Sequence, residues 1–214
     1  MHHELEKLRN IIRQFLRPLH DIPFYLVVES LYDQKVIPYD DYARDDLQAA
    51  VDAAGRLINA SGIKSTRRNE VGNYLQPFVE KGLKAQGFKA GTPETSEGKG
   101  RSAGYPDIEA SKEGKTFYVE VKSYNPDAVD TTFRSFYLSP SEDPKVCHNA
   151  YHLVFAFAIE KGSDGLFRTL GCKVLDIRDL SCDVKYEFNS NNRRLYAQDS
   201  GLLVFERQFK PKKI

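Results

Sequence analysis

The sequence predicts an α/β fold: a mixed β-sheet flanked by helices, with a helical N-terminal region. Three observations predict it. Up to Gly87 apolar residues recur at the helical period; beyond it the apolar stretches shorten and alternate; and one of them, Tyr151 to Ile159 (YHLVFAFAI), is apolar almost throughout. An unbroken run of that length is the pattern of a strand covered on both faces. Helices first and strands afterwards, around one central strand, is how layers pack on a single sheet.

Each element follows from its own signals. Leu5, Leu8, Ile12, Phe15, Leu16 and Leu19 repeat at a helical spacing, and Pro18 closes the stretch. Asp21 is a candidate cap for a second helix, with Pro23 in its first turn and Phe24, Leu26, Val27, Val28 and Leu31 apolar. Leu47, Val51, Ala54, Leu57 and Ile58 define a third, which Gly62 ends. A fourth begins near Ser65 or Thr66, carries Val71, Leu75, Phe78, Val79 and Leu83, ends at Gly87, and is kinked or split at Pro77. Phe88 to Ala90 is a short strand. Residues 91–104, rich in Gly, Ser and Thr, read as a mobile loop. Asp107 to Ala110 and Thr116 to Ser123 read as two strands joined by the turn Ser111-Lys112-Glu113-Gly114. Leu170 to Ile177 is a further strand, with weaker candidates at Val184 to Phe188 and Leu202 to Phe209. The expected division is residues 1–62 as a helical region (a subdomain or an outer layer), 63–209 as the chemical domain, and 210–214 as a basic tail.

Composition narrows the function classes. The chain has 214 residues, 41% of them hydrophobic and 29% charged, enough for a real core and too patterned for wholesale disorder. Lys plus Arg is 31 against 30 for Asp plus Glu, a net charge of +1, so a uniformly basic binder is excluded and a local basic groove is not. Three scattered cysteines argue against a disulfide scaffold and for a reducing, cytoplasmic setting. No apolar run reaches membrane-spanning length, and no signal-peptide core opens the chain. Cys147-His148-Asn149 lacks the paired spacing of a zinc site, and a directly adjacent His rarely points at its Cys. His152 opens the buried strand and reads as a core or edge histidine.

The chemistry concentrates in Tyr105-Pro106-Asp107-Ile108-Glu109 and Tyr118-Val119-Glu120-Val121-Lys122. In the second strand Phe117, Val119 and Val121 point one way and Tyr118, Glu120 and Lys122 the other. A hairpin with 12 residues between Asp107 and Glu120 can bring the two carboxylates together. Converging carboxylates repel, and a divalent cation relieves the repulsion; oxygen ligands of this kind suit Mg²⁺. A lysine beside them can orient or help deprotonate a water, which is the equipment for cutting a phosphodiester. Read blandly, Glu120 and Lys122 are a solvated ion pair and Pro106-Asp107 a turn.

Pro106-Asp107 with Glu120-Val121-Lys122 resembles the signature of the PD-(D/E)xK nucleases. Phe133-Arg134-Ser135-Phe136-Tyr137, Tyr151 to Phe157 and Tyr186 to Tyr196 resemble segments of type II restriction endonucleases within that superfamily. The resemblance implies a restriction-endonuclease-like sheet and a Mg²⁺-dependent, sequence-specific endonuclease acting on double-stranded DNA. Asp107 and Glu120 would be metal ligands, the backbone carbonyl of Val121 a third, and Lys122 the residue that positions the attacking water. A preceding helix often adds an acid in that superfamily; Glu70 is the first candidate here and Glu80 the second. Glu109 would be an outer ligand or a surface acid.

Base reading needs Arg for guanine and Asn or Gln for adenine, and phosphates take Lys, Arg or Ser. Arg134 and Ser135, then Asn189, Asn191, Asn192 and Arg193, have that chemistry, and Lys99 and Arg101 are candidate phosphate clamps. Asn-Ser-Asn-Asn is also ordinary turn composition. A two-fold DNA site is most simply read by a homodimer. Two rivals keep the fold: a structure-specific or repair nuclease, and a non-catalytic DNA-binding module.

Overall fold

The computed structural model describes residues 2–14, 19–100, 103–128 and 136–185. The chain forms two compact units, residues 21–182 and the joined ends, 1–20 with 183–214. Residues 44–61 belong to the same unit as the sheet.

In the terminal unit, helix α1 (His2–Gln14) carries an ion pair, Arg9 to Glu6 at 3.2 Å, on its polar side. Leu5, Leu8, Ile11 and Ile12 are exposed along it. The Val184 N–H donates to the Leu19 carbonyl at 2.9 Å.

The larger unit is built on a five-stranded mixed sheet. Its strands are β2 (Lys89–Gly91), β3 (Ile108–Lys112), β4 (Lys115–Tyr124), β5 (Tyr151–Lys161) and β6 (Phe167–Asp176), side by side in that order. Only β4 and β5 run parallel; the other neighbours are antiparallel. A two-stranded ladder, β1 (Ile22–Pro23) with β7 (Ser181–Cys182), lies outside it. The remaining helices are α2 (Phe24–Tyr32), α3 (Arg44–Ser61) and α4 (Gln76–Ala85).

The unbroken apolar run behaves as its composition requires. Residues 151–159 of β5 are all buried. Tyr151, Leu153, Phe155, Phe157 and Ile159 join Leu47, Ala54 and Ile58 of α3 and Leu83 of α4 in one core. Val154 and Ala156 face the other way, into a core with Phe24 and Val28 of α2. Each fully buried Phe or Leu contributes about 1.5–3 kcal/mol, so the strand is fixed from both sides.

Helix ends follow local chemistry. Gly62, at φ 63°, ends α3 and its N–H returns to the Ile58 carbonyl at 2.8 Å. The fourth expected helix is split: a 3₁₀ turn covers Arg68–Tyr74 and α4 starts at Gln76, with Pro77 in its first turn, where a missing N–H is harmless. Asp21 does not cap α2. Pro23 holds the cap position, and the Asp21 carboxylate accepts the Ser181 hydroxyl at 3.0 Å. The loop expected to be mobile is tied down: Thr95 and Lys99 close a turn at 2.9 Å, Ser96 N–H reaches the Pro144 carbonyl at 2.9 Å, and Ser96 Oγ reaches Asp143 at 2.9 Å. Its partners lie far along the chain, where composition carries no trace of them. Of the weak strand candidates, residues 184–185 are not strand, and the rest of both lies outside the described residues.

Beneath the sheet His152 is wholly buried, its Nδ1 2.7 Å from Tyr105 Oη and its ring packed between Tyr105 and Tyr118. Burial lowers its pKa from 6.5 to about 3.

Two predictions follow from this packing. A Cβ on Gly82 of α4 would stand 2.2 Å from the Ala50 carbonyl oxygen of α3, whereas one on Gly55 would meet nothing nearer than 3.7 Å. Urea unfolding should show Gly82→Ala destabilised by about 3 kcal/mol and Gly55→Ala stabilised by about 0.5–1 kcal/mol. His152 stays neutral when folded while the unfolded chain protonates it, so its contribution is complete above pH 6.5 and is lost as pH falls towards about 3. His152→Gln, which keeps a partner for Tyr105 without titrating, should flatten the pH dependence of unfolding free energy across that window by up to about 1.4 kcal/mol per pH unit.

Candidate active site

The site is made by a hairpin register. Glu113 and Gly114 both take positive φ, 50° and 78°, and reverse the chain between Lys112 and Lys115. That tight turn sets Ile108 opposite Val119 and Glu109 opposite Tyr118. Asp107, one residue before β3, is thereby carried beside Glu120 of β4. Its Oδ2 accepts the Val121 N–H at 2.8 Å.

Alternation along β4 then sorts the side chains. Phe117, Val119 and Val121 enter the core under α3 and α4, and Tyr118 enters the opposite core. Glu120 shares the Tyr118 side and is only 5% exposed. Its Oε1 takes Lys122 Nζ at 2.7 Å, and its Oε2 is buried with no hydrogen-bond partner among the described residues. Burial holds the Glu120 carboxyl above the usual carboxylate range, and the charge of Asp107 pushes the same way; Lys122 and Lys145 oppose the rise. Asp107, Glu120 and Lys122 are thus brought into one electrostatic group, and the bland alternative of a solvated pair does not describe a glutamate this deeply buried.

Two further residues, which the sequence reading missed, support this group. Gln76, at the start of α4, donates from its amide nitrogen to the Asp107 carbonyl at 3.1 Å and to Glu80 Oε1 at 3.0 Å. Lys145, 4% exposed, donates to the carbonyls of Gly104 at 2.6 Å and Pro106 at 2.7 Å. The signal for Gln76 would have been its place one turn before Glu80 on the helix entering the site; Lys145 had none.

The two helix acids are placed differently. Glu80 is linked through Gln76 to the backbone of Asp107 and pairs with Lys84 at 3.5 Å. Glu70, in the 3₁₀ turn, accepts from Ser65 Oγ at 3.4 Å and Thr66 Oγ1 at 3.3 Å, with Arg67 3.9 Å away. Glu70 also lines a shallow cleft with Tyr74 and Asp164. Glu109 is half-buried, and burial raises its pKa. Cys147 Sγ donates to the Pro144 carbonyl at 3.4 Å, and its N–H goes to Tyr118 Oη at 2.9 Å.

Of the residues expected to meet DNA, Lys99 is exposed and paired with Glu97 at 2.6 Å. Arg101, Arg134, Ser135, Asn189, Asn191, Asn192 and Arg193 lie outside the described residues. Among the described residues no group of three or more His, Cys, Asp or Glu side chains gathers to hold a metal ion. No helix among the described residues is long and apolar enough to cross a membrane.

Residues 19–199 match the model of the type II restriction enzyme MjaV family. The chain is 34% identical over 227 aligned positions to the type II restriction enzyme MjaV of Methanocaldococcus jannaschii, covering 96% of this chain and 97% of that protein. The matched span takes in the whole sheet, the Asp107–Lys122 hairpin and α2 to α4. The resemblance to the PD-(D/E)xK restriction endonucleases, read first from the hairpin residues, is therefore shown at the level of family: the chain belongs to the MjaV family of type II restriction enzymes.

Proposed function

We propose that the chain is a Mg²⁺-dependent endonuclease that cuts double-stranded DNA at a specific sequence. One observation carries the reading: a buried glutamate, Glu120, set beside Asp107 and paired with Lys122, with one carboxylate oxygen left without a partner among the described residues. A buried carboxylate that is repelled by a second one and keeps an unused acceptor is costly, and a further cation would relieve that cost. Membership of a family of type II restriction enzymes supports the substrate class.

The donor set fits Mg²⁺, which binds through one or two carboxylates and keeps waters for its other positions. Asp107 and Glu120 would hold it, joined by the Val121 carbonyl. The ion supplies positive charge to the phosphoryl oxygens as the bond is cut. Asp107 is pre-oriented for this by the Val121 N–H. Lys122, held 2.7 Å from Glu120, would be the residue that donates to and positions the attacking water. Glu80, bound to Gln76 beside Asp107, supports this reading as a helix acid better than Glu70, which is committed to Ser65 and Thr66. Glu70 stays as the alternative for that role. Lys99 and Arg101 would contact phosphates; Arg134, Ser135, Asn189, Asn191, Asn192 and Arg193 would supply phosphate and base contacts. A homodimer would place one such site on each strand.

Digestion of a long phage DNA tests the reading. Discrete fragments that need Mg²⁺, disappear with EDTA, and fall by at least about a hundredfold in rate for Lys122→Ala are expected. Absence of cleavage, or a smear unaltered by Lys122→Ala, overturns it; cutting confined to branched DNA would replace sequence specificity with structure specificity. A second test uses the raised Glu120 pKa. A proton must leave Glu120 before the cation binds, so the Mg²⁺ dissociation constant should rise as pH falls, starting above the range of an ordinary carboxylate. Calorimetric titrations across pH, with Glu120→Gln alongside, check it: the variant should bind weakly at every pH.

A further inference from the structure

We propose that Lys145 is a positioning residue of the active site: its buried ammonium clamps the turn that delivers Asp107. The inference rests on the reading of Asp107 as a metal ligand. Lys145 lies between β4 and β5 in sequence, 39 to 41 positions from the carbonyls it holds. It is 4% exposed, a rare state for a lysine, whose charge must then be met by acceptors inside the protein. Two of those acceptors are Gly104 O at 2.6 Å and Pro106 O at 2.7 Å, on either side of Tyr105 and directly before Asp107.

The lysine is itself held in place. Val146 next to it is buried, the Cys147 N–H is tied to Tyr118 Oη at 2.9 Å, and the Pro144 carbonyl takes Ser96 N–H at 2.9 Å. Anchored backbone on both sides leaves the side chain little freedom to leave the turn. On the far side of Asp107, Gln76 holds the next carbonyl at 3.1 Å. So Gly104, Pro106 and Asp107 are each gripped through their carbonyls, and the Asp107 carboxylate is aimed at Val121 by constraint. The ammonium is also near enough to Glu120 for its charge to oppose the burial of that carboxylate. Nothing in the catalytic signature calls for a cation here. A turn with loose carbonyls would let Asp107 swing off the Val121 N–H, and ligands displaced by a fraction of an ångström bind a small, geometrically strict ion poorly.

The test compares Lys145→Met with Val146→Ala, a cavity in the same segment that leaves the clamp intact. Both are assayed below their melting temperatures. Mg²⁺ is titrated calorimetrically into each metal-free protein, and DNA cleavage is measured at saturating Mg²⁺. For Lys145→Met, Mg²⁺ affinity should fall about tenfold to a hundredfold and kcat should fall while KM for DNA stays within about twofold. Val146→Ala should lose melting temperature yet keep wild-type Mg²⁺ affinity and kcat. Wild-type Mg²⁺ binding and kcat in Lys145→Met, or equal losses in Val146→Ala, overturn the proposal. If Lys145→Met does not fold, Lys145→Gln, which keeps N–H donors on a shorter arm, decides by the same two readouts. A wild-type protein that neither binds Mg²⁺ nor cuts DNA removes the nuclease reading, and this inference with it. An active wild type with an unaffected Lys145→Met removes the inference alone.

Discussion

The antiparallel register between β3 and β4 is the constraint on which the rest of the site depends. Ile108 faces Val119 because the chain reverses in two residues at Glu113 and Gly114. A slip of one residue would exchange the faces of β4, sending Glu120 and Lys122 into the apolar core under α3 and exposing Val119 and Val121. Burial of charge and loss of apolar packing both oppose that slip. The arrangement that stabilises the fold is therefore the one that sets Asp107 against Val121 and Glu120 beside Lys122. β5, parallel to β4 and buried on both faces, stiffens the strand that carries these residues.

Electrostatics gives the same hairpin its chemical character. Glu120 is buried, which favours its neutral form, and Asp107 adds to that preference. Lys122 and Lys145 counter it from two sides of the chain. The resulting site holds a glutamate whose carboxyl is shifted upward, with one oxygen without a protein partner among the described residues. The side chains involved stand on a strand, at a strand entrance and in a segment pinned at Pro144 and Cys147.

Much of this was legible beforehand, for reasons specific to each residue. The pairing of Asp107 with Glu120 and Lys122 was readable because a short hairpin is a local object: turn residues and alternation decide it within eighteen positions of chain, from Asp107 to Tyr124. β5 was readable from its unbroken apolar run, and the split before α4 from Pro77. Gln76, Lys145 and the anchored loop at Thr95 to Lys99 were not. Their partners lie 31 to 48 positions away. A glutamine in a helix or a lysine in a loop looks the same in sequence whether it meets water or a carbonyl. Glu70 was ranked before Glu80 because both are helix-region acids; the bridge from Glu80 through Gln76 to the Asp107 carbonyl is a long-range contact with no local pattern.

The sequence by itself determined the class of fold, the central strand and the carboxylate–lysine hairpin, because periodicity and turn chemistry act over short stretches of chain. The tertiary structure decided how deeply Glu120 is buried, which cations oppose its proton, and which side chains grip the turn before Asp107. Those properties come from groups distant in sequence meeting in a low-dielectric interior, where their energies depend on distance and desolvation. No local pattern encodes either quantity.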